Sequence, residues 1–152
     1  MKLLIITLIV FLNFTTLSYT AGSGGSSNDN SSTNKMSDFD WAERKIIKAK
    51  KYEKKGKLKK AEKSYNDAIK KLLKANEKDP TNPDIYNYLG FATRKQPNPD
   101  YKLAEEFYLK ALEINNNHVG ALEYLGELYF ETNRLDEAKL LLDRLKMLVK
   151  LQ

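Results

Sequence analysis

Asp79-Pro80-Thr81-Asn82-Pro83-Asp84-Ile85-Tyr86-Asn87-Tyr88-Leu89-Gly90 is the stretch that decides the fold. Its two prolines end one helix and open the next, because proline lacks the amide proton a helix interior needs yet fits a first turn. Beyond them, Tyr86-x-x-Leu89-Gly90 begins a skeleton that continues as Ala104-x-x-x-Tyr108-x-x-Ala111-Leu112. The skeleton recurs downstream as Leu122-x-x-Leu125-Gly126-x-x-Tyr129 with Ala138-x-x-x-Leu142. Upstream it reads Ala49-x-x-Tyr52, then Ala61-x-x-x-Tyr65-x-x-Ala68-Ile69. Apolar residues three and four apart give each segment one helical face to bury. A helix pair repeated in this way leaves one face bare, and stacking of neighbours makes the core.

Punctuation sets six helices. Ser37 with Asp40 resembles a capping box and predicts a first helix from there to Lys55, stopped by Gly56. The second runs from Leu58 to about Lys78, the third from about Asp84 to Lys95, and the fourth from about Tyr101 to Ile114. The fifth runs from about His118 to Glu131 and the sixth from Leu135 to near the end. Ala61, Ala104 and Ala138 mark close helix crossings, and Gly90 and Gly126 let a partner helix approach the backbone. Tyr65, Tyr108 and, in the last copy, Leu142 are expected to fill the space between neighbouring pairs.

These residues resemble the tetratricopeptide (TPR) repeat, whose signature W-x2-L-G-x2-Y…A-x3-F…P recurs about every 34 residues. The resemblance implies an all-α fold of three TPR helix-turn-helix repeats, at about 37–82, 83–117 and 118–151, stacked as a short right-handed α-solenoid. Departures are local. Gly90 to Gly126 is a 36-residue step, which the Gln96–Asp100 loop absorbs. Ala49 to Gly90 is 41, and the seven-residue surplus is about two helical turns, so a longer second helix keeps its core face in phase.

Composition narrows the function. The chain has 152 residues, no cysteine and one histidine, which excludes disulfides, thiolate zinc sites and thiol nucleophiles. No glycine-rich phosphate loop and no nucleophile–base arrangement appears, so no enzyme, cofactor or metal is expected. His118 reads as a capping residue, and Glu105-Glu106 and Asp136-Glu137 as acids at helix starts. The net charge of +6 is uneven: residues 35–80 carry sixteen Lys/Arg against eight Asp/Glu, and residues 81–152 nine against eleven. The basic half admits an anionic polymer over Lys45–Lys78, but its lysines are interleaved with acids as on a solvated helix, and no nucleic-acid partner is expected.

Residues 1–21 read as a signal peptide or, if uncleaved, an N-terminal anchor: Lys2, an apolar run from Leu3 to Leu12, then small residues through Ala21. The run is shorter than the roughly 20 apolar residues of a membrane span. Residues 22–36 form a flexible Gly/Ser/Asn linker. The domain is thus expected outside the cytoplasm, periplasmic or secreted, with the membrane involved only if the leader persists.

In TPR proteins the first helix of each pair lines a concave groove. The resemblance places Ile46, Lys50 and Lys54, then Asn87, Phe91 and Arg94, then Glu123, Glu127 and Phe130 on that face, with Glu131 at its edge. It predicts a groove basic at one end and acidic at the other, with Phe91 and Phe130 as apolar anchors for a protein or peptide partner. The alternative is that the acids are ordinary exposed residues and the phenylalanines core. TPR domains that grip chaperone C-termini use a lysine/asparagine/arginine clamp. The matching positions here are Ile46, Lys50, Tyr88, Gly120 and Tyr124, of which Lys50 alone is compatible. The last helix carries an expected core stripe of Ala138, Leu141, Leu142, Leu145, Leu148 and Val149. A second stripe, Leu140, Met147 and Leu151, has no cover and offers an edge for a homo-oligomer or partner.

Overall fold

The structure, a computed structural model, describes residues 36–150. The leader and nearly all of the linker lie outside the described residues. Six helices follow one another: α1 (Asp38–Lys54), α2 (Leu58–Lys78), α3 (Pro83–Arg94), α4 (Tyr101–Ile114), α5 (Val119–Glu131) and α6 (Leu135–Lys150). Among the described residues no helix is long and apolar enough to cross a membrane.

Local chemistry explains the boundaries. Ser37 Oγ accepts the Asp40 amide at 3.0 Å and donates to the Asp40 carboxylate at 2.7 Å, closing the capping box. Gly56 takes φ +66°, a left-handed conformation that side chains resist, and turns the chain into α2. Asn82 caps α3 with Pro83 in its first turn, and Asp100 caps α4. His118 caps α5: its Nδ1 accepts the Ala121 amide, while Nε2 meets Asp84 at 3.0 Å. The surplus sequence lies in α2, which has 21 residues against 14 in α4.

The helices pack as three sequential pairs, α1/α2, α3/α4 and α5/α6, with α2 against α3 and α4 against α5. Small residues make the close crossings. Ala42, Ala49 and Ala68 are fully buried in the first pair, and Ala104 and Ala111 in the second. Tyr65 and Tyr108 are both 0% exposed and fill the gaps between pairs. Tyr65 packs edge-on to Phe91 and donates its hydroxyl to Glu53 at 2.8 Å. Burial first, and then Glu53, push that hydroxyl's pKa well up.

The two glycines differ. A Cβ on Gly90 would lie 2.7 Å from Tyr108 Cε1 and 3.0 Å from the Ala104 carbonyl, so the bare backbone is required. A Cβ on Gly126 would meet only Leu141 Cβ, at 3.8 Å, an ordinary contact. The close approach expected there is absent because α6 packs shallowly and has no fully buried residue. Ala138 is only half-buried, and the expected core positions Leu142 and Val149 are 46% and 66% exposed, since none of the described helices packs over them.

Ion pairs tie the long second helix to the first. Asp38 accepts Lys71 and Lys78, each at 2.7 Å, and the two ammonium groups hold its carboxyl down at about 2. Lys45 reaches Asp67 at 2.9 Å with its Nζ 4.4 Å above the Trp41 ring. The glycine contrast has a direct test. Gly90→Ala should lower the urea-unfolding free energy by about 1–3 kcal/mol through overpacking against Tyr108. Gly126→Ala should be neutral or stabilising by up to about 1 kcal/mol, as for alanine replacing glycine within an open helix.

Candidate partner-binding groove

The first helices of the pairs, α1, α3 and α5, share one side of the array. Along α1 the four-residue step carries Ile46 in the core, Lys50 half-buried and Lys54 exposed, so this face climbs from core to rim. Phe91 follows the constrained Gly90 and is 3% exposed. Tyr124 on α5 meets it with ring centroids 4.8 Å apart. Lys50 Nζ lies 4.3 Å above Phe91 and 5.3 Å from the Tyr124 ring, and donates to Tyr124 Oη at 3.0 Å. An ammonium over a ring face, as at Phe91, is attracted by its quadrupole, more strongly where water is excluded.

Above this floor opens a cavity of about 350 Å³, with Lys54, Lys95, Glu53, Glu123 and Glu127 on its walls. Cationic groups come from α1 and the end of α3; Glu123 and Glu127 come from α5. Beside the cavity, the fully buried Arg94 donates from Nη1 to Glu131 at 2.7 Å and from Nη2 to Glu127. Burial works against the Arg94 charge, but Tyr108 and the two carboxylates outweigh it and hold its pKa above the usual guanidinium range. Glu123 has no ion-pair partner among the described residues. Its carboxyl is raised by burial and by the Glu127 charge, with Lys50 opposing.

The structure thus sorts the eight groove residues read from the sequence. Lys50, Lys54, Phe91, Glu123 and Glu127 line the cavity. Phe91 is its floor rather than an open anchor. Arg94 is an internal bracket, and it engages two of the acids that made the far end look acidic. Asn87 is buried, with its Nδ2 3.0 Å from where a Cβ on Gly120 would stand. Phe130 is 70% exposed in the last turn of α5, beyond the cavity. The chaperone-clamp positions have internal roles: Ile46 is core, and Tyr88 donates to Glu43 at 3.1 Å. Glu105, read as an acid serving a helix start, instead accepts Arg134 at 2.7 Å and Tyr129 at 2.9 Å.

Three wall or floor residues escaped the sequence reading. Tyr124 entered only as a failed clamp position, although it is one residue from Glu123 and three from Glu127. Glu53 is three residues from Lys50, a helical neighbour spacing. Lys95 is the C-cap of α3, where projection onto a helix face stops. Among the described residues no acid or histidine cluster could hold a metal ion.

Sequence comparison supplies the class. Residues 50–96 match the family model described as TPR repeat, and residues 99–149 the model described as tetratricopeptide repeat. The chain belongs to the tetratricopeptide-repeat family, a class of protein–protein interaction modules. It is 33% identical over 79 residues to "Uncharacterized protein ycf37" of Porphyra purpurea, a match covering 52% of this chain and 44% of that protein. The chain therefore spans less than half the length of that relative. The first TPR domain of Spaghetti (RPAP3), solved bound to an HSP90 peptide, is 27% identical with a TM-score of 0.49, over 72% of this chain and 79% of that one. The TPR domain of OM64 from Arabidopsis is 21% identical with a TM-score of 0.49, over 76% and 88%.

The Arg94 bracket can be tested separately. Glu127→Gln with Glu131→Gln strips both counter-charges from a guanidinium held away from water. Chemical denaturation should show a loss of about 2–3 kcal/mol, and Arg94→Met a smaller loss because no buried charge is then orphaned.

Proposed function

We propose that this chain is an exported, non-enzymatic adaptor whose groove binds an extended peptide or a helix of another protein. The observation that carries the reading is Lys50 held over Phe91 and bonded to the Tyr124 hydroxyl at the floor of a cavity whose walls bear both charge signs. A preorganised floor loses little side-chain freedom on binding, which leaves more of the contact energy as affinity. Opposed charges set direction: a partner carboxylate belongs against Lys54 and Lys95, a partner cation against Glu123. The basic first pair is the weaker candidate, since Lys45, Lys71 and Lys78 are already engaged by Asp67 and Asp38.

Export rests on the order of Lys2, the apolar run and the small residues before Gly22. N-terminal sequencing of the mature protein should begin near Ala21 to Gly24; an intact Met1-Lys2 would instead favour a membrane-tethered factor.

Rim residues give the cleaner functional variants, because Phe91 and Glu127 also support the fold. Lys54→Glu with Glu123→Lys inverts both walls while leaving the core and the Arg94 bracket intact. With tagged wild type and variant as baits in the native envelope, proteins held by the groove should fall at least about tenfold in the variant, as expected for loss of paired rim and wall charges. Equal recovery of the same proteins would remove the groove from the account.

A further inference from the structure

The sixth helix alone has no fully buried residue, and the reason is positional. A seam recurs at seven-residue steps on the second helix of every pair: Leu58, Tyr65 and Leu72 on α2, Tyr101 and Tyr108 on α4, Leu135, Leu142 and Val149 on α6. On α2 and α4 the centre of the seam is sealed by the next pair, and Tyr65 and Tyr108 are 0% exposed. Leu58, at the start of the α2 seam, is itself 67% exposed, so the contrast lies at Leu142 and Val149, which are 46% and 66% exposed where Tyr65 and Leu72 are fully buried; Leu135 is 53% exposed. Ala138 and Leu141 pack into the core around Leu125 and Leu128, so the open seam lies beside the inward face of α6. At 100° per residue, Lys139, Lys146 and Lys150 fall in a row along the outer edge of that seam. Lys146 reaches Asp143 at 3.1 Å, while Lys139 and Lys150 have no ion-pair partner among the described residues.

The charge on this edge identifies the kind of occupant. The residue on α4 that corresponds to Lys139 is Glu105. It meets the following pair through Arg134 at 2.7 Å and Tyr129 at 2.9 Å. At the same place in the repeat, α6 carries the opposite sign. A second copy of this chain fits poorly. Antiparallel pairing of two α6 helices about Leu142 sets the two lysine edges side by side. Stacking head to tail brings in α1, where Arg44, Lys48 and Lys51 are exposed.

We propose that α6 docks an acidic amphipathic helix from another protein. Its apolar stripe would cover Leu135, Leu142 and Val149, and its Asp or Glu residues would run along the lysine edge, in the place a fourth pair would take. This surface is separate from the concave groove and does not depend on it.

The test uses the full mature chain and two synthetic helical peptides, each with a leucine stripe, one flanked by glutamates and the other by lysines. Fluorescence anisotropy should show the glutamate peptide bound at least about tenfold more tightly than the lysine peptide, as flanking charges select partners in paired helices. Lys139→Glu with Lys146→Glu should reverse the preference, and Leu142→Asp should abolish binding of both. All these side chains are exposed, so circular dichroism should remain that of the wild type. The groove variant Lys54→Glu/Glu123→Lys should bind the glutamate peptide normally, which separates this site from the groove. Equal binding of both peptides, or binding of neither, overturns the proposal. So does a wild-type dimer in sedimentation that Leu142→Asp converts to monomer, since the occupant would then be a second copy.

Discussion

A pair of helices can bury the face between its two members but not its back, and everything in this array follows from how that back is covered. Tyr65 closes the gap between the first and second pairs, and Tyr108 that between the second and third. The large ring demands a missing side chain opposite it, which is why Gly90 has none. Closing these gaps also fixes the spacing of α1, α3 and α5. Only at that spacing do Lys50, Phe91 and Tyr124, from three different helices, come within contact distance. The groove floor is a consequence of the stacking on the other side of the array.

On α6, the last of the described helices, the same constraint runs in reverse. Position for position α6 matches α2 and α4, yet its seam stays exposed and its contact with α5 is shallow. Gly126 keeps the sequence pattern of Gly90 without its crowding. Burial therefore falls from the middle of the array to its C-terminal end, and ion pairs join helices both within and between the pairs. Asp38 holds the two lysines of α2, Arg94 holds two acids of α5, and Arg134 joins Glu105 to Glu137.

Much of the fold was legible in the sequence because its signals are local. Ser37, Gly56, Pro83 and His118 act on their own turns, and each places a boundary within a residue or so of where it falls. The seven-residue surplus was placed in α2 because only a whole number of turns keeps the core face in phase. The site was legible in part. Helical spacing identifies the face that Lys50, Lys54, Glu123 and Glu127 share. It does not tell how far a long side chain reaches or which way it bends. Arg94 lies on the groove face by spacing, yet its guanidinium turns inward to Glu127 and Glu131. Tyr124 and Lys95 join the cavity through contacts between helices that no single helix pattern contains.

The central claim is that stacking between pairs, not the helices themselves, sets stability along the chain. Native-state hydrogen exchange measures this directly, residue by residue. The account predicts that amides of α2, α3 and α4 share the highest opening free energy, close to that of global unfolding, while α6 opens well below it. If α6 proves as protected as α3 in the monomer, or if α1 and α2 open independently of α3, the stacked tyrosines are not what holds the array together.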